Sequence, residues 1–153
     1  GARAAARCGC TAWAVQSVAR GVLVDWGGPR AAYVLSAGAG VSRYNYVSAE
    51  MLVTILRQMY PDPRHRDPFI ATLPIGGQDG TIGSRFIGTR AAGNVRAKTG
   101  SIANVRALSG YVTTLDNEVL VFSILANSFT VPQAAIDSTI DLAVERLATF
   151  TRQ

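Results

Sequence analysis

Lysine is almost absent from this chain of 153 residues: Lys98 is the only one, and every other basic side chain is an arginine. Positive charge is therefore carried by a planar, permanent cation everywhere but at one place, where a compact ammonium stands whose proton its surroundings can shift. Histidine is just as scarce, with His65 alone, and the two cysteines, Cys8 and Cys10, have no second pair near them. No spacing for a metal site results, so no metal and no organic cofactor is expected, and the cysteines read as structural or free thiols. No run of about 18 apolar residues is present, so no membrane-spanning segment is expected. The opening Gly1-Ala2-Arg3-Ala4-Ala5-Ala6 lacks the apolar stretch of a signal peptide. The net charge is +5, but the arginines are scattered and form no block of like charge. Without a ribbon of basic and aromatic residues or a recognition helix, nucleic acid is not expected as a partner. Internal repeats and low-complexity segments are also missing.

What is present is a globular composition, 48% hydrophobic, at about the length of one ordinary domain. Thr11 is placed to cap a helix with Val15, Val18, Ala19, Val22 and Trp26 at helical spacing, ended by Gly27-Gly28-Pro29. Residues 31–35 read as a short strand, and residues 36–46, rich in glycine and small polar side chains, as an ordered surface loop. Ser48 caps a second helix with the stripe Leu52, Ile55, Leu56 and Met59, with Val47 placed to staple onto Leu52 and with Pro61 and Pro63 as its stop. Residues 62–94 are the least regular third, with short helical stretches at 67–72 and 81–86. Strands follow at 95–99, 106–115 and 119–126, with Asp116-Asn117 as a hairpin turn. The last strand is nearly all apolar, so both of its faces are expected to be covered. Pro132 opens a final helix with Ile136, Ile140, Ala143, Val144, Leu147 and Phe150 on one face.

The expected fold class is α/β, of the α+β kind: an antiparallel sheet of about three strands packed by a carboxy-terminal helix, with preceding helices and loops. Such a core is thin, and an apolar strand at a sheet edge offers unpaired backbone groups to a neighbour. Residues 1–153 thus read as a single partial domain.

Lys98 sits in Arg96-Ala97-Lys98-Thr99-Gly100-Ser101, a cation beside two hydroxyls and a glycine. Taken alone, that stretch also fits a strand-end lysine near a turn. Two further segments change its weight: Gly38-Ala39-Gly40-Val41-Ser42-Arg43-Tyr44-Asn45, and Leu73-Pro74-Ile75-Gly76-Gly77-Gln78-Asp79-Gly80-Thr81. Together with Leu108-Ser109-Gly110-Tyr111-Val112, in this order and spacing, they resemble the carboxy-terminal part of the D-alanyl-D-alanine carboxypeptidase family of penicillin-binding proteins, low-molecular-mass class C. The resemblance covers roughly residues 30–150 and implies part of a transpeptidase-like penicillin-binding fold.

It further implies a serine carboxypeptidase that works on peptidoglycan stem peptides outside the cytoplasm and is acylated by beta-lactams, and it leaves open whether endopeptidase action accompanies the carboxypeptidase action. Such enzymes need a Ser-x-x-Lys, a Ser-x-Asn and a Lys-Thr-Gly strand. Here Val95 stands three residues before the only lysine and no Ser-x-Asn occurs, so the amino-terminal part of the same enzyme is an expected partner and the chain alone is expected to be inactive. By resemblance Lys98 supplies a positive field and a proton path, and the Thr99 and Ser101 hydroxyls hold the substrate carboxylate. The Ser101 N–H serves the oxyanion, Gly100 lets the ligand lie along the strand, and Arg43 contacts a carboxylate of the stem. By the same resemblance Ala37 and Ala39 replace a family aspartate and serine, and the second change removes a hydroxyl close to the expected substrate carboxylate, which counts against full activity even with the missing part restored. Asp79 and Thr81 read as loop-forming residues, His65 as a solvated loop histidine rather than a triad member, and Tyr44 and Tyr46 as anchors of the loop onto the core. A non-catalytic remnant, or a module that binds peptides or partner chains, is the competing expectation.

Overall fold

The computed structural model describes residues 12–28, 32–36 and 44–152. The chain divides into two compact units, Gly1–Gln58 and Met59–Gln153.

In the first unit, α1 (Ala12–Asp25) ends as its glycines predict. The Gly28 N–H donates to Leu23 O and the Gly27 N–H to Val24 O, both at 2.9 Å, with Gly27 at φ 81°, a Schellman closure that satisfies the last carbonyls. The expected stripe is found in part: Ala19 and Trp26 are half-buried, whereas Val18 and Val22 are exposed. The proposed cap Thr11 lies outside the described residues. The first strand is shorter than expected, β1 (Tyr33–Val34), and pairs antiparallel with β2 (Tyr46–Val47). Between them Ser36 ties the loop's neck, its N–H donating to Asn45 Oδ1 at 2.8 Å and its hydroxyl to Tyr44 O at 3.0 Å. Tyr44 and Tyr46 do not anchor the loop onto a core; they are 73% and 63% exposed. Ser48 caps α2 (Ala49–Met59), its Oγ accepting from the Met51 N–H at 3.1 Å. Met51 and Leu56 are the buried positions of that helix, and Val47 is exposed and staples nothing.

The second unit begins with a helix at the two prolines. Pro63 is not only a stop but a start: it is the first residue of α3 (Pro63–Ala71), capped by Asp62, whose Oδ1 accepts from the Arg64 N–H at 3.0 Å. Proline suits that position because its missing N–H has no partner there in any case. A three-stranded antiparallel sheet follows, in the order β3 (Arg96–Ile102), β4 (Val105–Thr113), β5 (Val119–Asn127). The β3–β4 turn is the pair Ala103-Asn104, with Asn104 at φ 56°. At the β4–β5 turn the Asn117 N–H donates to Thr114 O at 3.2 Å and Asn117 takes φ 61°, a left-handed conformation that asparagine tolerates. At Gly110 a side chain is impossible: a Cβ there would stand 2.1 Å from Arg96 O, so glycine is what lets β3 and β4 close up.

One face of the sheet is covered by α4 (Gln133–Ala148) through Ile140, Val144 and Ala148. Ile136, Ile140, Val144 and Leu147 of the expected stripe do face the core, whereas Ala143 and Phe150 are exposed, Phe150 because the helix ends at Ala148. The strand β5 is not covered on both faces either; Phe122 is its only buried residue and the rest are at least partly exposed. The irregular segment before β3 does more than expected. Instead of a helix at 81–86 it holds a single 3-10 turn, Gly80–Ile82, and it sends Ile82, Phe86, Ala91 and Val95 into the same core as Ala97, Leu108, Val112 and Phe122. Arg85 fixes that segment to α4 through a two-pronged ion pair with Asp141, Nη2 to Oδ1 at 2.6 Å and Nε to Oδ1 at 2.9 Å.

Candidate active site

The candidate site is the outer edge of β3. Alternate residues of a strand send their backbone groups to the same side. The Ala97 N–H donates to Pro74 O and Val95 O accepts from the Gly76 N–H, both at 3.0 Å, with a bridge at Ile75 and Arg96. The loop 73–76 therefore pairs with the first half of β3 on the side away from β4. Thr99 and Ser101 turn their N–H groups to the same side, beyond the end of that loop, where among the described residues no backbone group meets them.

Side chains collect around this open stretch. The Lys98 ammonium donates to Thr99 O at 2.8 Å and is exposed. The Thr99 and Thr81 hydroxyls share a hydrogen bond of 2.9 Å, and Thr81 belongs to the 3-10 turn. Asp79 shapes that turn as expected, its Oδ1 accepting from the Ile75 N–H at 2.6 Å. The Ser101 hydroxyl accepts from Arg106 Nη1, and Arg106 also reaches Gln133 Oε1 and stands 3.5 Å from Asp137 Oδ1. Gly100 lies on the other face of the strand, where a Cβ would sit 3.1 Å from that of Ala107.

Of the predicted site residues, Lys98, Thr99, Gly100 and Ser101 thus follow one another on β3, and Arg43 lies outside the described residues together with Ala37 and Ala39. His65 sits on the exposed side of α3 rather than in a loop, its Nδ1 3.5 Å from Asp62 Oδ2. Sequence reasoning missed Arg106. The signal was there in the register: once Ala103-Asn104 is read as a two-residue turn, Arg106 falls opposite Ser101. Across the sheet, Ser109 opposes Lys98 and its hydroxyl lies 2.8 Å from that of Ser123. On the same face Tyr60 packs against Tyr111, ring centroids 5.5 Å apart, and burial, with Tyr60 adding to it, pushes the Tyr111 phenol up to about 12.

Residues 2–149 match the family described as the D-Ala-D-Ala carboxypeptidase 3 (S13) family. The chain belongs to this family. Among relatives of this carboxypeptidase family it is 34% identical over 130 residues to penicillin-sensitive carboxypeptidase A of Dictyostelium discoideum, a match over 80% of the chain and 24% of the relative. It is 39% identical over 123 residues to a D-alanyl-D-alanine carboxypeptidase of an Actinomadura species, over 77% of the chain and 22% of the relative. The chain therefore spans about a quarter of the length of these curated relatives. Among solved structures, penicillin binding protein 4 (dacB) from Haemophilus influenzae superposes with a TM-score of 0.77 at 26% identity, over 90% of this chain and 31% of that one. A predatory endopeptidase from Bdellovibrio bacteriovorus shares the fold, with a TM-score of 0.67 at 20% identity, over 93% of this chain and 39% of that one. The mixed architecture is thus that of the penicillin-binding carboxypeptidases. No helix among the described residues is long and apolar enough to cross a membrane.

Proposed function

We propose that this chain supplies the Lys-Thr-Gly substrate strand of a serine-type D-Ala-D-Ala carboxypeptidase that acts on peptidoglycan stem peptides through an acyl-enzyme. The observation that carries the reading is the open edge at Thr99 and Ser101, where outward backbone N–H groups, two hydroxyls and an ammonium stand together beyond the loop pairing at Ala97. A peptide end can add there as a short strand, with backbone hydrogen bonds holding it and the hydroxyls meeting its carboxylate.

In this reaction a serine hydroxyl attacks the carbonyl of the penultimate D-Ala, the carbon–nitrogen bond breaks, terminal D-Ala leaves as the amine, and water later frees the acyl chain. The Ser101 N–H is one oxyanion donor, and such a donor is worth about 3 kcal/mol in comparable sites. Lys98 gives the positive field and helps pass a proton to the departing amine. Thr99 and Ser101 hold the terminal carboxylate, and Arg43 serves a carboxylate of the stem. The serine and its partner lysine come from a segment outside these 153 residues, since the chain holds no Ser-x-x-Lys. That segment is the amino-terminal part of the same enzyme, and residues 1–153 are part of one catalytic domain with it. Peptidoglycan and beta-lactams are the ligands, the place of action is outside the cytoplasm, and endopeptidase action on cross-links is a second use of the same edge.

The test is covalent labelling by a fluorescent penicillin. The longer protein that includes a Ser-x-x-Lys region is expected to be labelled on that serine, and the 153-residue chain alone is expected not to be. Absence of label on the longer protein would remove the enzyme reading and favour a non-catalytic module.

A further inference from the structure

Ser101 is expected to meet a carboxylate, yet its hydroxyl already has a partner, and the identity of that partner decides what the hydroxyl can do. A serine hydroxyl has one proton to give and lone pairs to accept with, whereas an arginine can only donate. Because Arg106 Nη1 donates to Ser101 Oγ, the serine proton is left without use on that side and is available to an acceptor on the open edge. A carboxylate is such an acceptor, and it only accepts. The arginine is itself held in place: its other amino group meets Gln133 Oε1 at the first turn of α4, its Nε stands 3.5 Å from Asp137 Oδ1, and the Arg106 side chain is 14% exposed against 37% for Asp137. With its nitrogens engaged in this way, it acts on a ligand through Ser101.

We infer that Arg106 is a positioning residue that sets the Ser101 hydroxyl as a proton donor toward an anionic ligand on the β3 edge, and so contributes to the preference for ligands ending in a free carboxylate. The inference rests on the reading of this edge as the carboxylate site. It makes the α4 end of the sheet part of the specificity apparatus, since Gln133 and Asp137 aim the guanidinium.

The experiment compares two probes on the longer protein that carries the Ser-x-x-Lys region: a fluorescent penicillin, and the same molecule with its carboxylate converted to a neutral methyl ester. Arg106→Ala is expected to lower the acylation rate constant for the penicillin by about tenfold or more, the scale of a charge-assisted hydrogen bond, and to change that for the ester by less than about twofold. Ser101→Ala is expected to behave alike, and the double variant to be no slower than Ser101→Ala, because the arginine works through the serine. If Arg106→Ala fails to fold, Arg106→Lys decides, since it keeps the charge and the stem but not the fork; a loss of about threefold or more confined to the penicillin supports the inference. Equal slowing of both probes, or additive effects in the double variant, overturns it while the enzyme reading stands. A wild-type protein that takes no label at all overturns the enzyme reading and this inference with it.

Discussion

Asn94 and Thr113 exchange two hydrogen bonds as though Asn94 were one more residue of the sheet: its Nδ2 donates to Thr113 O at 2.8 Å and its Oδ1 accepts from the Thr113 N–H at 2.9 Å. Their partner strand β3 starts only at Arg96, so a side-chain amide completes the ladder where the backbone has turned away into the irregular segment. Asn94→Ala leaves both Thr113 groups without partners, and a loss of about 2 kcal/mol of stability is expected in a denaturant melt. Asn94→Asp keeps the acceptor but sets a charge against the Thr113 carbonyl, so it is expected to do no better than alanine.

Arg85 and Asp141 give a second stability prediction. Their side chains are 16% and 21% exposed, between a solvent-exposed pair and a buried one. Removing Arg85 alone is expected to cost about 2 kcal/mol, below the fully buried case and above the surface one. A double-mutant cycle with Asp141→Ala should return most of that as coupling; additive losses would show the pair contributes little.

Alkaline stability follows from Tyr111. Its phenol is raised by burial, then by Tyr60, from an ordinary 10.0 to about 12, so the folded chain holds the proton more tightly than the unfolded one. The contribution is fully present below the ordinary value and is lost as pH rises from 10.0 through about 12. The melting temperature is expected to fall across that window, and Tyr111→Phe to flatten the fall; equal slopes in both proteins would contradict the assignment.

Thr81 supports Thr99 across the site. In the longer, penicillin-labelled protein, Thr81→Val is expected to slow acylation about threefold through loss of that hydroxyl contact, with an unchanged melting temperature. A drop in melting temperature with no kinetic change would make Thr81 a loop residue only.

The free side of β5 concerns the isolated chain. Among the described residues β5 has β4 as its one strand neighbour, and its apolar side chains are mostly only partly buried. Association or marginal stability is expected when the chain is purified alone. A cooperative, monomeric melt at low concentration, checked by sedimentation, would contradict this.

The strands and helix caps were legible because their signals are local. Ser48 before α2, Gly27-Gly28 after α1, and Asn117 in the β4–β5 turn each satisfy backbone groups within a few residues. The Lys98 to Ser101 strand was legible for a different reason, a motif whose resemblance carried its neighbours with it. Burial was harder to read. Ile82, Phe86, Ala91 and Val95 carry no period, because an irregular segment places each side chain by its own turn, so the part that reads as loop fills the core under the sheet. Pro63 read as an end because proline stops a helix behind it and starts one ahead with equal ease. Arg106 was invisible for want of register, which only the closed hairpin supplies.

The pairing of the loop 73–76 with β3 has one more consequence. It makes the edge a slot with a back wall: a guest strand laid along Thr99 and Ser101 runs up against Pro74 at the level of Ala97, and the slot extends only to the end of β3 at Ile102. On the proposed reading of this edge, a berth stopped at one end measures length as well as charge. It suits the tip of a chain better than its middle, and lengthening or shortening the loop 73–76 is the direct way to move the stop.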